Sequence, residues 1–450
     1  MTSESPASDF APIDREFGAD VAMHALVSEL YPICRSITGE GVRHTLEIIA
    51  KHVPITRTDV PSGTRVFDWV VPKEWNVRDA FVKTARGERV IDFRISNLHL
   101  LNYSVPAQGM VSNEELRQHL YSDPAHPDWI PYRTSYYQEK WGFCVAHAQL
   151  ATLTEPEYEV FIDSSLSDGA LTYGECYLPG AVQDEVLVSC HICHPSLAND
   201  NLSGISVAVQ LARQLMDRPH RLSYRFLFAP GTIGAIAWLA GHRETVSRIK
   251  HGLVLTCVGD PGAFHYKKSR RGDTEVDRAV AHALRARRRP FEIREFHPYG
   301  YDERQFCSPG FNLPVGCLMR SAWGEFPEYH TSADNPSFVT PTALQESLEI
   351  CSDVVDILER NKSLISLNPF CEPALGPRGL YRATGGSGIG DRNLARLWVL
   401  NLADGTHSLL DMAERADMPF GLIADVAEEL TAHSLLAEPQ IGHSARGEAQ

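Results

Sequence analysis

Two histidines and an aspartate lie within ten positions of one another, and their types and spacing suit a metal ion. His191, His194 and Asp200 follow a short apolar run that starts near Asp184. Zinc binds imidazole nitrogens and carboxylate oxygens, and a catalytic zinc keeps about three protein ligands so that water can take the open position. His330, in a second segment, would complete such a set. The sequence therefore predicts a zinc site.

Two simpler interpretations of these residues compete with the metal site. A histidine taken alone is more often an ordinary polar loop or core residue than a ligand. The clustering of three candidates beside one strand end reverses that preference. Cys190 and Cys193 have CxxC spacing, but the chain has no second CxxC to complete a zinc knuckle.

The predicted ligands lie between a strand and a helix. Residues 184–191 form a β-rich apolar run typical of a buried parallel strand, and 201–217 have helical periodicity with Ser203 or Asn201 as the cap. Further strand and helix patterns alternate from residue 151 onward. The alternation predicts a doubly wound, mainly parallel α/β sheet, which binds ligands at the carboxyl edge of its strands.

Two segments resemble the metal-binding signatures of M28-type zinc aminopeptidases. They are residues 199–204 and 329–334. Within this family, the chain most resembles a bacterial subgroup that has an inserted small domain and a C-terminal winged helix. The segments that carry this resemblance are residues 67–75, 134–137, 141–144, 256–260, 267–273 and 302–306. The resemblance implies a zinc-dependent aminopeptidase-like hydrolase that acts on a small peptide or amide.

The same resemblance assigns the metal ligands residue by residue. It makes Asp200 the metal carboxylate and His330 the distal imidazole. His194 is favoured as the proximal imidazole, and His191 is the alternative. One zinc per chain is expected rather than two, because threonines occupy the positions of the second metal's ligands.

The threonines at these positions are Thr232 and Thr256, and neither is a good zinc ligand. Gly231 stands where the family has a glutamate that takes a proton from the metal-bound water. A glycine cannot perform this general-base step, which contributes about a hundredfold to ten-thousandfold in rate. Either another group substitutes or hydrolysis is crippled, so a metal- or ligand-binding pseudoenzyme is the alternative function.

Three acidic residues are candidate substitutes for the base: Asp302, Glu303 and Glu325. The resemblance places their loops around the active-site cleft, although each residue taken alone is more often a solvated loop charge. Arg304 and Tyr329 are assigned to substrate binding. The planar guanidinium of Arg304 suits a substrate carboxylate, but it could equally pair with Asp302 or Glu303.

The composition is that of an acidic, folded protein with several domains. The 450 residues carry 42 basic and 57 acidic side chains, and the net charge of -15 disfavours nucleic acid and anionic membranes as partners. No run of about eighteen apolar residues predicts a transmembrane helix. The polar amino terminus lacks signal-peptide features, and ten cysteines are too few for a disulfide scaffold, so we expect a cytoplasmic protein with reduced thiols.

Four regions follow from these patterns. Residues 1–62 and 151–375 are assigned to the peptidase-like domain, and 63–150 to an inserted, mainly β domain. Residues 376–450 contain a linker and a winged helix. The glycine-rich run 386–390 follows no evident strand, so we interpret it as linker rather than as a nucleotide-binding loop.

The winged-helix region is predicted from three helical patterns, at residues 393–402, 408–416 and 419–433. Residues 391–438 contain nine acidic residues against three arginines, a net charge of -6. This sign repels a phosphate backbone, which disfavours a transcriptional regulator. We expect a role in packing or in dimerisation, and a homo-oligomer is compatible with the sequence.

Overall fold

The computed structural model describes residues 18–380 and 390–439. These residues form two compact units, one from the described parts of 1–277 and 289–351 and the other from those of 278–288 and 352–450. The amino-terminal segment used for the signal-peptide prediction and most of the glycine-rich run 386–390 lie outside the described residues.

The described residues form both α-helices and β-strands. The strands are β1 (Thr56–Pro61), β2 (Arg65–Val66), β3 (Trp69–Val70), β4 (Glu74–Thr84), β5 (Arg89–Asp92), β6 (Ala107–Ser112), β7 (Leu120–Tyr121), β8 (Phe143–Cys144), β9 (Glu157–Ser167), β10 (Ala170–Leu178), β11 (Glu185–His191), β12 (Ser223–Ala229), β13 (Ile249–Leu255), β14 (Phe264–Lys267), β15 (Phe291–Arg294), β16 (Val315–Met319), β17 (Ser363–Ser366), β18 (Asp404–Ser408) and β19 (Leu436–Ala437). The helices are α1 (Ala19–Leu30), α2 (Glu40–Ile49), α3 (Asn113–Gln118), α4 (Gly204–Met216), α5 (Ile233–Gly241), α6 (Glu275–Ala286), α7 (Glu303–Phe306), α8 (Pro341–Arg360), α9 (Asp391–Leu402), α10 (Leu409–Ala416) and α11 (Phe420–Ala432).

One eight-stranded sheet positions the candidate site. Its strand order is β1-β10-β12-β11-β13-β16-β14-β15. The four central strands β12, β11, β13 and β16 are parallel, while β10 and β14 join them antiparallel on either side. Every residue of β11 is buried, as its continuous apolar run predicts. The predicted α/β fold is confirmed, with antiparallel pairs added at its sides.

A second, four-stranded sheet is entirely antiparallel, in the order β5-β4-β9-β6. Alternate residues of β9, including Tyr158, Val160 and Ile162, are buried, so one face of this strand packs into a core. The sheet supplies β structure in the region where the sequence predicts it. Its strand β9, at residues 157–167, lies wholly after residue 150, where the sequence places the inserted domain's end. The bounds of the inserted domain stay a prediction.

The second unit contains the predicted winged helix. Helices α9, α10 and α11 lie where the three helical patterns predict them. Val399, Leu410 and Ile423 are buried, one from each helix. A three-stranded sheet in the order β18-β17-β19 completes the unit. Its first strand, at residues 363–366, precedes the linker and was not predicted.

Two chain-wide expectations can be compared with the structure. None of the ten cysteines, which all lie in the described residues, is in a disulfide bond, and the expectation of a reducing compartment stays a prediction. Within residues 18–380 and 390–439, none of the helices combines the length and apolar content needed to cross a membrane.

A buried ion-pair network holds the antiparallel side of the main sheet. Arg225 on β12 donates hydrogen bonds to Glu185 at 2.8 Å and to Glu175 at 2.7 Å. Trp238 on α5 donates to the same Glu175 oxygen at 2.8 Å. Each carboxylate is less than a tenth exposed, so the guanidinium compensates two desolvated charges.

We predict that Arg225→Met destabilises the protein by about 3–5 kcal/mol, because it removes the cation beside the buried Glu185 and leaves the buried Glu175 with only His242, 3.5 Å away. The free energy of unfolding in urea measures the effect. Arg78→Met is the matched control, since Arg78 pairs with Asp163 on the surface, and its effect should be much smaller. Equal stability of wild type and Arg225→Met would contradict the structural role of the network.

Candidate metal centre

The carboxyl ends of three parallel strands bring the predicted site residues to one edge of the sheet. His191, the last residue of β11, is in register with Ala229 of β12, so Gly231 follows at the same edge. Thr256 directly follows β13, and its hydroxyl lies 3.5 Å from Nε2 of His191. The order of the parallel strands therefore brings these residues together at the carboxyl edge of the sheet, where the sequence predicts the site.

The segment between β11 and α4 is not a simple loop into a helix. Residues 198–203 form a π-helical turn in which Asp200 has non-helical dihedral angles, φ -109° and ψ 79°. Helix α4 starts at Gly204, so the prediction of a helix from residue 201 was wrong at its amino end. The Asn201 side chain accepts a hydrogen bond from the Gly204 amide at 3.2 Å, whereas the Ser203 hydroxyl donates to the Asn199 carbonyl.

The carboxylate of Asp200 meets three imidazole rings. His191 Nε2 lies 2.8 Å from Oδ1, while His194 Nδ1 and His330 Nε2 lie 3.1 and 2.9 Å from Oδ2. The Asp200 side chain is 1% exposed, and that of His330 is 28% exposed. The structure thus brings together all four residues that the sequence nominates as ligands, with access to solvent on the side of His330.

The electrostatics of the cluster suit a cation. Burial lowers the pKa of His191 to about 4 and also lowers the pKa of His330. Burial opposes ionisation of Asp200, but the adjacent His194 and His191 rings hold the pKa of this carboxyl well below its usual value. Neutral rings of His191 and His330 beside an ionised Asp200 are in the protonation states that bind a metal ion.

Two overlapping groups of side chains have ligand atoms within 4.8 Å of one another. One is His194, Asp200 and His330, and the other is His191, Cys193 and His194. Burial raises the pKa of the Cys193 thiol to about 12, which makes the thiolate costly to form. The first group contains the predicted ligand set and needs no such deprotonation.

Asp334 fixes the backbone that carries Asp200. Its two carboxylate oxygens accept hydrogen bonds from the amides of Asn199 at 2.5 Å and Asp200 at 3.0 Å. Asp334 lies in the same segment as His330, so one short stretch supplies both a candidate ligand and the group that orients another. The sequence interpretation placed Asp334 in the motif but gave it no role.

Tyr301 occupies the space beside the position of the expected base. Its ring stacks on His191 with centroids 3.9 Å apart, and its hydroxyl lies 3.1 Å from Nε2 of His194. A Cβ atom added to Gly231 would lie 2.3 Å from Cε1 of Tyr301. The sequence interpretation missed this residue, for which the only signal was an aromatic side chain directly before Asp302.

Two of the three candidate substitutes for the base are engaged elsewhere. Glu303 is buried and forms an ion pair with Lys267 at 2.5 Å. Glu325 forms an ion pair with Arg294 at 2.5 Å, and its side chain is more than half exposed. Neither carboxylate contacts a candidate ligand in the described part of the chain.

Asp302, the third candidate, is fully buried. Neither of its carboxylate oxygens has a hydrogen-bond partner among the described residues. Burial raises the pKa of Asp302 well above its usual value, and the neighbouring Glu303 adds to the shift. A protonated carboxyl cannot accept a further proton as a general base.

The two predicted substrate-binding residues differ in their surroundings. The ring of Tyr329 stacks on that of His330 with centroids 3.9 Å apart, so the structure places it at the site. The Nε atom of Arg304 is buried, and it has no hydrogen-bond partner in residues 18–380 and 390–439. Its role in substrate binding stays a prediction.

The chain is similar to known proteins along most of its length. A sequence model of the domain of unknown function DUF4910 matches residues 24–361, and a winged helix-turn-helix model matches residues 362–443. The "Putative polysaccharide biosynthesis protein with aminopeptidase-like domain" of Clostridium acetobutylicum is 48% identical over 422 residues, which cover 94% of this chain and 96% of the relative.

Solved structures show the same architecture. The crystal structure of a "putative peptidase" from C. acetobutylicum has a TM-score of 0.89 at 46% identity, and the similarity covers 93% of this chain and 96% of that one. A zinc aminopeptidase from Bacillus subtilis has a TM-score of 0.54 at 13% identity, covering 75% and 94% of the two chains. A peptidase M28 precursor from Shewanella amazonensis gives 0.51 at 11%, covering 75% and 92%.

The distant likenesses show the fold, and they confirm the predicted M28-type aminopeptidase architecture. The family model and the relative with 48% identity together span both the sheet domain and the winged helix. The chain therefore belongs to the family of the domain of unknown function DUF4910, with an aminopeptidase-like fold followed by a winged helix-turn-helix.

Proposed function

We propose that the protein is a zinc-dependent, aminopeptidase-like hydrolase of a small peptide or amide. The observation that carries the proposal is the convergence of three imidazoles on the buried Asp200 carboxylate. His194, Asp200 and His330 would hold one zinc ion, with His191 as the alternative proximal ligand. Thr256 beside His191 offers no carboxylate for a second ion, which supports one metal rather than two.

Zinc bound there would supply a Lewis acid that polarises an amide carbonyl. The residues of the chain orient the groups around it. Asp334 holds the turn that carries Asp200, and the Tyr301 hydroxyl fixes the orientation of the His194 ring. Tyr329, stacked on His330, forms part of the wall against which a substrate would lie.

Proton transfer is the weak step of this site. Gly231 has no side chain, and burial favours the protonated form of Asp302. A lost general base costs about a hundredfold to ten-thousandfold in rate. We therefore expect turnover to be slow compared with that of an aminopeptidase that has its glutamate.

A second candidate function is a metal- or ligand-binding pseudoenzyme. The observation that favours it is the Tyr301 ring, which occupies the space that a side chain at Gly231 would need. Turnover of wild type separates the two candidates. Because one relative is named for polysaccharide biosynthesis, the substrates tested should include N-acyl amino sugars as well as aminoacyl amides.

We predict that the purified protein binds about one zinc per chain and that His330→Ala loses it, because about three ligands are needed to retain zinc. Elemental analysis of dialysed protein measures the metal content. His194→Ala should lose more zinc than His191→Ala if His194 is the proximal ligand. His44→Ala, a surface histidine beside Glu47, is the control and should keep its zinc. Two bound ions, or zinc retained by His330→Ala, would overturn the assignment.

A substitution at Gly231 tests the missing base. Gly231→Glu alone should not restore hydrolysis, because its Cβ would clash with Tyr301. Together with Tyr301→Ala it should raise the hydrolysis of an aminoacyl amide by about tenfold or more over Tyr301→Ala alone.

The kcat of the zinc-loaded variants measures this gain, with zinc content and circular dichroism confirming that each protein is intact. Robust wild-type turnover that is abolished by Asp302→Asn would show instead that the base has moved to Asp302. No turnover by wild type or by the double variant on the whole set of amides would favour the binding protein.

A further inference from the structure

A cavity of about 360 Å³ lies against the candidate metal centre. His330 and Tyr329 form part of its wall, together with Asp123, His126, Arg133 and Glu325. The cavity therefore joins a candidate metal ligand to side chains that the metal centre itself does not use. A substrate whose amide reached the metal would place its neighbouring groups in this space.

The backbone next to Arg133 is tied to the segment that carries His330. The amide of Tyr132 donates to the His330 carbonyl at 2.7 Å, and Pro131 forms a β-bridge with Thr331. The Tyr132 ring also contacts the His330 ring edge to face, with centroids 5.1 Å apart. The backbone at Arg133 is therefore held close to the candidate metal ligand, and its side chain, which is exposed, lines the cavity.

The acidic residues of the cavity already have partners. Asp123 pairs with His126 at 2.9 Å, and Glu325 pairs with Arg294 at 2.5 Å. Arg133, in contrast, makes one long hydrogen bond, of 3.4 Å, to the carbonyl of Tyr132. In the described part of the chain, no carboxylate lies within ion-pair distance of its guanidinium, so this cation can pair with an incoming anion.

We propose that Arg133 recognises a carboxylate of the substrate, so that the substrate is a small amide or peptide with a carboxylate close to the scissile bond. The planar guanidinium donates two parallel hydrogen bonds to a carboxylate, which adds specificity to charge. The inference rests on the proposed function, since it names the substrate class of the same site. Arg304, which the sequence nominates for this role, does not line the cavity.

Binding of two stable probes to the zinc-loaded, full-length protein tests the inference by calorimetry. The probes are the reduced-amide isostere of leucyl-glycine, which has a free carboxylate, and its carboxamide counterpart. Wild type should bind the carboxylate probe about tenfold or more tightly, as expected for a hydrogen bond to a charged group. Arg133→Ala should lose this preference, and Arg133→Lys should keep part of it. The exposed Arg86→Ala serves as the control and should behave as wild type.

The outcomes separate this inference from the proposed function. Equal affinity of wild type for the two probes, or a carboxylate preference that survives in Arg133→Ala, would overturn the role of Arg133 and leave the metal-dependent amide site intact. Failure of zinc-loaded wild type to bind either probe would count against the peptide or amide substrate itself. A preference for the carboxylate that disappears in Arg133→Ala, survives in part in Arg133→Lys and is unchanged in Arg86→Ala would support both.

Discussion

The buried carboxylate of Asp200 is the constraint on which the site depends. An ionised carboxylate that is 1% exposed is costly unless positive or polarised groups surround it. Three imidazoles do so here: His191 is the last residue of β11, and His194 lies in the segment that directly follows it. The third, His330, is brought in by a segment that also supplies Asp334, whose carboxylate holds the Asp200 backbone. The π-helical turn and the sheet edge can be understood as the support for this one group.

The family resemblance predicts a proton acceptor at position 231, where this chain has a glycine. The ring of Tyr301 lies where a side chain at position 231 would be, so the present position of Tyr301 requires a glycine there. Tyr301 in turn stacks on His191 and contacts His194 through its hydroxyl, so the aromatic ring has become part of the support of the cluster. In the proposed function, metal binding and proton transfer therefore depend on different residues, so the first would not require the second.

The features that could be predicted from the sequence are those set by local spacing. The strand that ends at His191, the position of the ligands at its carboxyl edge and the three helices of the winged helix follow from short patterns. Tyr301 could not be predicted, because 107 residues separate it from His194, which it contacts. The helix was predicted to start at Asn201, but α4 starts at Gly204. The helical periodicity of the sequence continues back into the preceding turn, and contacts with the distant Asp334 set the shape of that turn.

X-ray absorption spectroscopy at the zinc edge tests the central claim most directly, since it identifies the atoms around the metal in the intact protein. We predict a single zinc site with nitrogen and oxygen neighbours at about 2.0–2.2 Å, as imidazole and carboxylate ligation requires. A sulfur neighbour at about 2.3 Å would move the metal to the group that contains Cys193. A second metal at about 3.5–4 Å would show a two-metal centre, and either result would contradict the account.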